Sequence, residues 1–249
     1  MLLLISPAKT LNLDPSKLSK YSQPQLLDNS QELIKKLKTF NSDQLQDLMG
    51  VSKKIADLNV DRNNSFSVPF NINNSKQAIL AFKGDVYQGM SPEDFDSSDY
   101  DFAHQHIGIL SGLYGFLRPL DLMQPYRLEM GTRLKVNKHN NLYDFWGNII
   151  TKKINESPNK FVVNLASNEY FKSIKQQELK AELWTVNFKE LRNGKYKVIS
   201  FNAKRARGMM CRYVVKNRLV EPLQMKAFNM DNYIFNEELS KEKELIFTR

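Results

Sequence analysis

The sequence predicts a mixed α/β (α+β) fold: a mixed sheet flanked by helices, carrying a small helix-hairpin-helix unit. Three observations predict it. Short apolar runs of strand length alternate with stretches whose apolar residues recur at helical spacing. Arg192-Asn193-Gly194 separates two strand-like runs and reads as a hairpin turn. Gly50 and Ser52 stand between two short amphipathic helices. No internal repeat or low-complexity tail interrupts the pattern, so residues 1–249 are expected to form one domain, with the helical hairpin at about 42–61.

Taken in order, Leu2 to Ile5 reads as a buried strand, and Ser6-Pro7-Ala8-Lys9-Thr10 as the loop leaving it. The apolar start lacks a basic leader and stops at Ser6-Pro7, short of the ~20 residues that span a bilayer, so a cytoplasmic location is expected. Asn29 to Phe40 is expected to be a helix that buries Leu33, Ile34 and Leu37 and leaves Lys35, Lys36 and Lys38 outside. Ser42 caps a next helix that Gly50 ends. Ser52 then caps another, with Ile55, Ala56 and Leu58 facing inward. Asn63 to Asn74 is a polar connection. Ala78 to Phe82 reads as a central strand ending at Lys83-Gly84-Asp85. Helical turns follow at Val86–Met90 and Pro92–Phe95, then a helix from Ser98 to Gln105 and a strand from Ile107 to Leu110.

Ser111 to Thr132 is dense in Gly and Pro. A segment this irregular inside a compact domain is usually functional. Leu142 to Asn155 reads as a helix, Phe161 to Asn164 as a strand and Asn168 to Ile174 as a short helix. Leu183–Lys189 and Lys195–Phe201 form the hairpin, Asn202 to Leu219 the longest basic helix, and Glu244 to Phe247 a closing strand.

Composition narrows the function. With 41% hydrophobic residues, including 15 Phe and 10 Tyr, a core forms without staples. Cys211 is the single cysteine, so no internal disulfide exists, and a small buried thiol is the simplest reading. One Cys and three His (His104, His106, His139) argue against a zinc site and against iron sequestration. The 36 Lys and Arg exceed the 27 Asp and Glu by nine, which favours anionic partners. Phosphate-loop, dinucleotide-fold and nucleophile-elbow motifs are absent, so no catalytic residue, cofactor or metal is assigned.

Three cationic groups are candidates for phosphate contact. The turn at Gly50, Ser52, Lys53 and Lys54 would aim backbone N–H groups at a phosphate; an ordinary hairpin with solvated lysines reads equally well. The basic helix offers Lys204, Arg205, Arg207 and Arg212, with Arg205, Gly208, Arg212 and Lys216 on one stripe. Gly208 there implies close approach of a ligand or of another element. Loops supply Lys9, Lys83, Arg118, Arg127 and Arg133, several of them just past strand ends, where open α/β sheets bind ligands. Arg127 with Glu129 and Lys83 with Asp85 also read as simple ion pairs. Tyr114, Phe116 and Tyr126 could stack on bases. The expected partner is double-stranded or distorted DNA, bound without sequence preference by a monomer. The alternative is an enzyme acting on a nucleotide or other phosphorylated small molecule.

Segments along nearly the whole chain resemble the YaaA peroxide-stress protein family. They are Ile5-Ser-Pro-Ala-Lys-Thr10, Phe82-Lys-Gly-Asp-Val-Tyr87, Leu110-Ser-Gly-Leu-Tyr-Gly-Phe-Leu-Arg-Pro-Leu-Asp121, Pro125-Tyr-Arg-Leu-Glu-Met-Gly131, Leu142-Tyr-Asp-Phe-Trp146, Asn164-Leu-Ala-Ser-Asn-Glu-Tyr170 and Lys204-Arg-Ala-Arg-Gly208. The resemblance implies an unusual α/β fold with a positively charged cleft and a helix-hairpin-helix. It further implies duplex DNA binding and a protective role in hydroperoxide stress. In the hairpin turn, Ser52 stands where that motif usually has a second glycine.

Overall fold

The computed structural model describes residues 1–249 and shows a mixed α/β architecture. In chain order the elements are β1 (Leu2–Ile5), β2 (Thr10–Leu11), α1 (Leu27–Leu37), α2 (Ser42–Met49), α3 (Lys53–Ser65), β3 (Lys76–Gln77), α4 (Ala78–Ala81) and β4 (Phe82–Lys83). Next come α5 (Asp85–Met90), α6 (Ser97–His106), β5 (Ile107–Ser111), β6 (Gly115–Leu117), β7 (Leu122–Met123), α7 (Leu142–Trp146) and α8 (Ile149–Asn155). The chain closes with β8 (Phe161–Asn164), α9 (Asn168–Phe171), β9 (Glu182–Arg192), β10 (Lys195–Lys197), α10 (Ser200–Lys216), β11 (Ile234–Phe235) and β12 (Glu244–Thr248).

An 8-stranded sheet runs β11-β12-β9-β8-β1-β5-β6, with β10 hairpinned onto β9. From β12 to β5 the neighbours are parallel, while β11, β6 and β10 are antiparallel additions. All four residues of β1 are buried because both of its edges are paired and both faces are covered, which is why the run is apolar throughout. Two minor sheets, β2 with β4 and β3 with β7, tie loops to this frame. The core is one cluster of 64 buried apolar residues.

Several expectations needed correction. Ala78–Ala81 is a single helical turn rather than a central strand, and only Phe82–Lys83 is extended. A short apolar run fits either state, since burial alone selects its residues. The helix expected at Leu142–Asn155 breaks at Gly147, whose φ of 48° leaves the helical region. Asn41, not Ser42, caps α2, through a reciprocal box with Gln44. In α3, Leu58 is exposed, whereas Asn59 and Asn63 face inward. Phe201 lies in the first turn of α10 instead of ending the hairpin. The dense Gly/Pro segment is mostly buried, and its glycines permit close contact: a Cβ on Gly112 would lie 2.2 Å from the Leu128 carbonyl oxygen.

Candidate functional site

Parallel strands leave their last carbonyls and the following loops at one end of a sheet, and a crevice opens where successive connections diverge. Here that point lies beside β1: the chain's next parallel strand, β5, joins one edge of β1, and β8 joins the other. A cavity of about 660 Å³ sits just there. Its walls come from the loop after β1 (Ser6 to Thr10), the loop after β8 (Leu165, Ser167 to Tyr170), the β4–α5 corner, Tyr126 to Glu129, and Lys204 and Arg207 of α10. Ser6 and Ser167 stitch the two strand-end loops together: the Ser6 Oγ accepts the Ser167 N–H at 2.9 Å. Tyr87 donates its hydroxyl to the Ser6 carbonyl at 3.2 Å.

The cations of this cavity fall into two sets. Lys9 and Arg127 share Glu129, at 2.8 Å and 3.3 Å. Lys83, Lys204 and Arg207 line the same space, and none of them forms an ion pair. Arg207 is the most constrained. Its Nε is buried with no hydrogen-bond partner, and burial holds its guanidinium below its ordinary pKa. A half-buried cation without a counter-charge is costly, and an anion beside it would offset that cost. Asp85 also lines the cavity without an ionic partner, and Glu169 uses one oxygen, Oε1, to accept the Gly131 N–H at 2.9 Å. Tyr87, Tyr126 and Tyr170 add aromatic surface, and burial raises the pKa of all three hydroxyls, so they stay protonated.

A second hollow of about 510 Å³ shares Arg127, Glu129 and Glu169 with the first. It adds Arg133 and the end of α2 (Asp47 to Met49), so the cavity opens toward the α2–α3 hairpin.

The structure brings together some of the candidate residues and separates others. Lys9, Lys83, Arg127, Lys204 and Arg207 meet in the cavity, with Arg133 in the adjoining hollow. Arg205 is exposed on α10. Arg212 is held by its own chain: it donates to the carbonyls of Met90 and Ser91 at 3.2 Å and 3.0 Å and lies 3.6 Å from Asp94. Lys216, on the same stripe, pairs with Asp99. Arg118 lines a separate hollow with Leu2, Ile107 and Asn159, at the opposite end of the parallel strands, and sits 3.6 Å from Asp121. At the hairpin, Gly50 adopts φ 61° as expected of a helix C-cap, and Ser52 precedes α3 without a side-chain cap. Lys53 pairs with Asp43, Lys54 is exposed, and residues 42–61 hold four Asp against two Lys. The anticipated Lys83–Asp85 pair is not formed, whereas Arg127–Glu129 is. Tyr114 and Phe116 are buried away from the cavity and unavailable for base stacking, while Tyr126 is buried but contributes to the cavity wall. Reading residue types missed the wall after β8, Ser167 to Tyr170. Its signal was positional, because it directly follows a parallel strand.

No helix is long and apolar enough to cross a membrane. Residues 1–239 match the family model described as peroxide stress protein YaaA. The match takes in every strand but β12, together with the cavity walls and α10, and its name ties the family to peroxide stress. The chain therefore belongs to the YaaA peroxide-stress protein family.

Proposed function

We propose that this protein works in the cytoplasm, as a monomer, by binding double-stranded or distorted DNA through its phosphates during hydroperoxide stress. The observation that carries this reading is the group of cations free of counter-charges, Lys83, Lys204 and Arg207, that share one cavity, with exposed Arg133 in the adjoining hollow. Contacts from such groups to phosphates fix position and carry no sequence information. Protection does not run through the protein's own thiol: Cys211 is fully buried, and burial pushes its pKa up, so the thiolate that peroxide attacks is suppressed.

The test is fluorescence anisotropy with short duplexes of unrelated sequence. Affinity should be similar for all of them and fall on the order of 10³-fold between about 50 and about 200 mM salt. Replacing Lys204 and Arg205 together by Glu should weaken every duplex alike. Sequence-dependent or salt-insensitive binding would sink the reading.

A second reading, an enzyme acting on a nucleotide or other phosphorylated small molecule, is favoured by one observation. The free cations and Asp85 share a cavity of about 660 Å³, within the range of small-molecule sites. Incubation with a panel of nucleotides, followed by chromatography, checks for turnover.

A further inference from the structure

We propose that the cavity beyond β1 and β8 is a binding site for one nucleoside monophosphate unit, either free in solution or swung out of a DNA strand. This rests on the phosphate-binding reading above and specifies what enters the cavity rather than what lies across its rim. A double helix meets a protein with its outer phosphates and grooves. It cannot follow its own phosphates into a cavity of about 660 Å³ walled on several sides by loops. A single nucleotide can.

The lining is divided in the way such a ligand requires. Lys83, Lys204 and Arg207 form a cationic wall without counter-charges, suited to a phosphate. Inorganic phosphate would need nothing more. Yet the same cavity exposes acceptors that a bare anion would shun: Asp85 has no hydrogen-bond or ionic partner, and one Glu169 oxygen is uncommitted. Carboxylates placed near a phosphate site are tolerable only if the rest of the ligand offers N–H or O–H donors, as a sugar or a base edge does. Pro7, Val86, Leu128 and Leu165 supply apolar surface for a ring. An anionic head, a donor-rich body and a flat apolar face together describe a nucleotide. An enzyme or binder that reaches a base in DNA takes it out of the stack into such a pocket.

Calorimetric titration of the full chain with deoxynucleoside monophosphates, the matching nucleosides and inorganic phosphate tests the site. The monophosphate should bind saturably, about tenfold or more tightly than either fragment. Arg207→Met should weaken it by about tenfold or more. Lys204→Met, an exposed change that leaves the core intact, should weaken it in the same direction, so a folding failure of the first variant decides nothing alone. A second arm places a fluorescent aminopurine in a duplex opposite an abasic position. A fluorescence rise on protein binding, lost in Arg207→Met, identifies an extruded nucleotide as the source. Monophosphate binding without that rise identifies the free nucleotide. Equal binding of phosphate and nucleotide, or no saturable nucleotide binding together with no fluorescence rise, overturns the proposal. Salt-dependent anisotropy of the wild type on plain duplex is read separately, so failure of the cavity proposal is distinguishable from failure of the DNA reading.

Discussion

Side chains of one type on one helix have opposite fates here. Arg205 and Arg212 both looked like phosphate contacts, being cations at helical spacing on a stretch without acids. Arg212 instead closes the ends of the α5 region through two carbonyls and Asp94 and sits over the Phe95 ring. Arg205 reaches solvent. Nothing in the local sequence distinguishes them, because the difference lies in what packs against the helix. Arg212→Met should therefore cost about 1–2 kcal/mol of stability, while Arg205→Met stays within about 0.5 kcal/mol, as urea unfolding would show. Cys211 was legible from its composition context alone. Its thiol should resist an aromatic disulfide reagent in the native protein and react promptly in denaturant; rapid native labelling would contradict the burial.

At the level of elements, α5 and α10 cross through a pair of glycines. A Cβ on Gly208 would stand 1.8 Å from the Val86 carbonyl oxygen, and one on Gly89 would stand 2.1 Å from the Arg205 carbonyl oxygen. Of the two causes the sequence left open for Gly208, a neighbouring element is the one found. Alanine normally gains about 1 kcal/mol over glycine inside a helix, but here both contacts are with backbone and cannot rotate aside. Gly208→Ala should thus destabilise by about 2–3 kcal/mol in thermal unfolding. It should also weaken anion binding, since α10 carries Lys204 and Arg207 while α5 begins at Asp85. Strands with strong flanking signals were readable: β1, β5, β8 and the turn between β9 and β10 fall where expected, although β10 ends at Lys197 rather than Phe201. Failures came where context outweighed local preference. In α3 the buried stripe includes Asn59, whose Nδ2 donates to the Ile55 carbonyl at 2.7 Å, so polar residues occupied positions that pattern reading assigns to apolar ones.

Across the whole molecule, a few buried ionisable groups set the response to acid. Burial lowers His104 from 6.5 to about 4, so it disfavours the fold progressively as pH drops through that window. Asp121, raised by burial from 3.8 to about 6, acts in the opposite sense across nearly the same range, because the folded form takes up its proton first. The two largely offset. Glu190 is left exposed to neither compensation. Burial alone would raise it, but Asn202, Arg192, Arg249 and Tyr233 all hydrogen-bond its carboxylate and bring it from 4.5 to about 2. Its stabilisation is present above pH 4.5 and drains away as pH falls toward 2. Melting temperature should hold nearly level down to about that upper value and then fall. Glu190→Gln should flatten the fall and lower stability by about 3 kcal/mol at neutral pH. The site was only partly readable at this scale: residue types named the cations, but which of them share a cavity depends on sheet order, which joins segments far apart in sequence. That same sheet order constrains biogenesis. The central strand, Leu2–Ile5, leaves the ribosome well before Ile107–Ser111 and Phe161–Asn164, the strands that must clamp it on either side. Until both have emerged, the nascent polypeptide displays an unpaired apolar tetrapeptide with no native partner to cover it, so this strand cannot be sequestered until about two thirds of the sequence has been made.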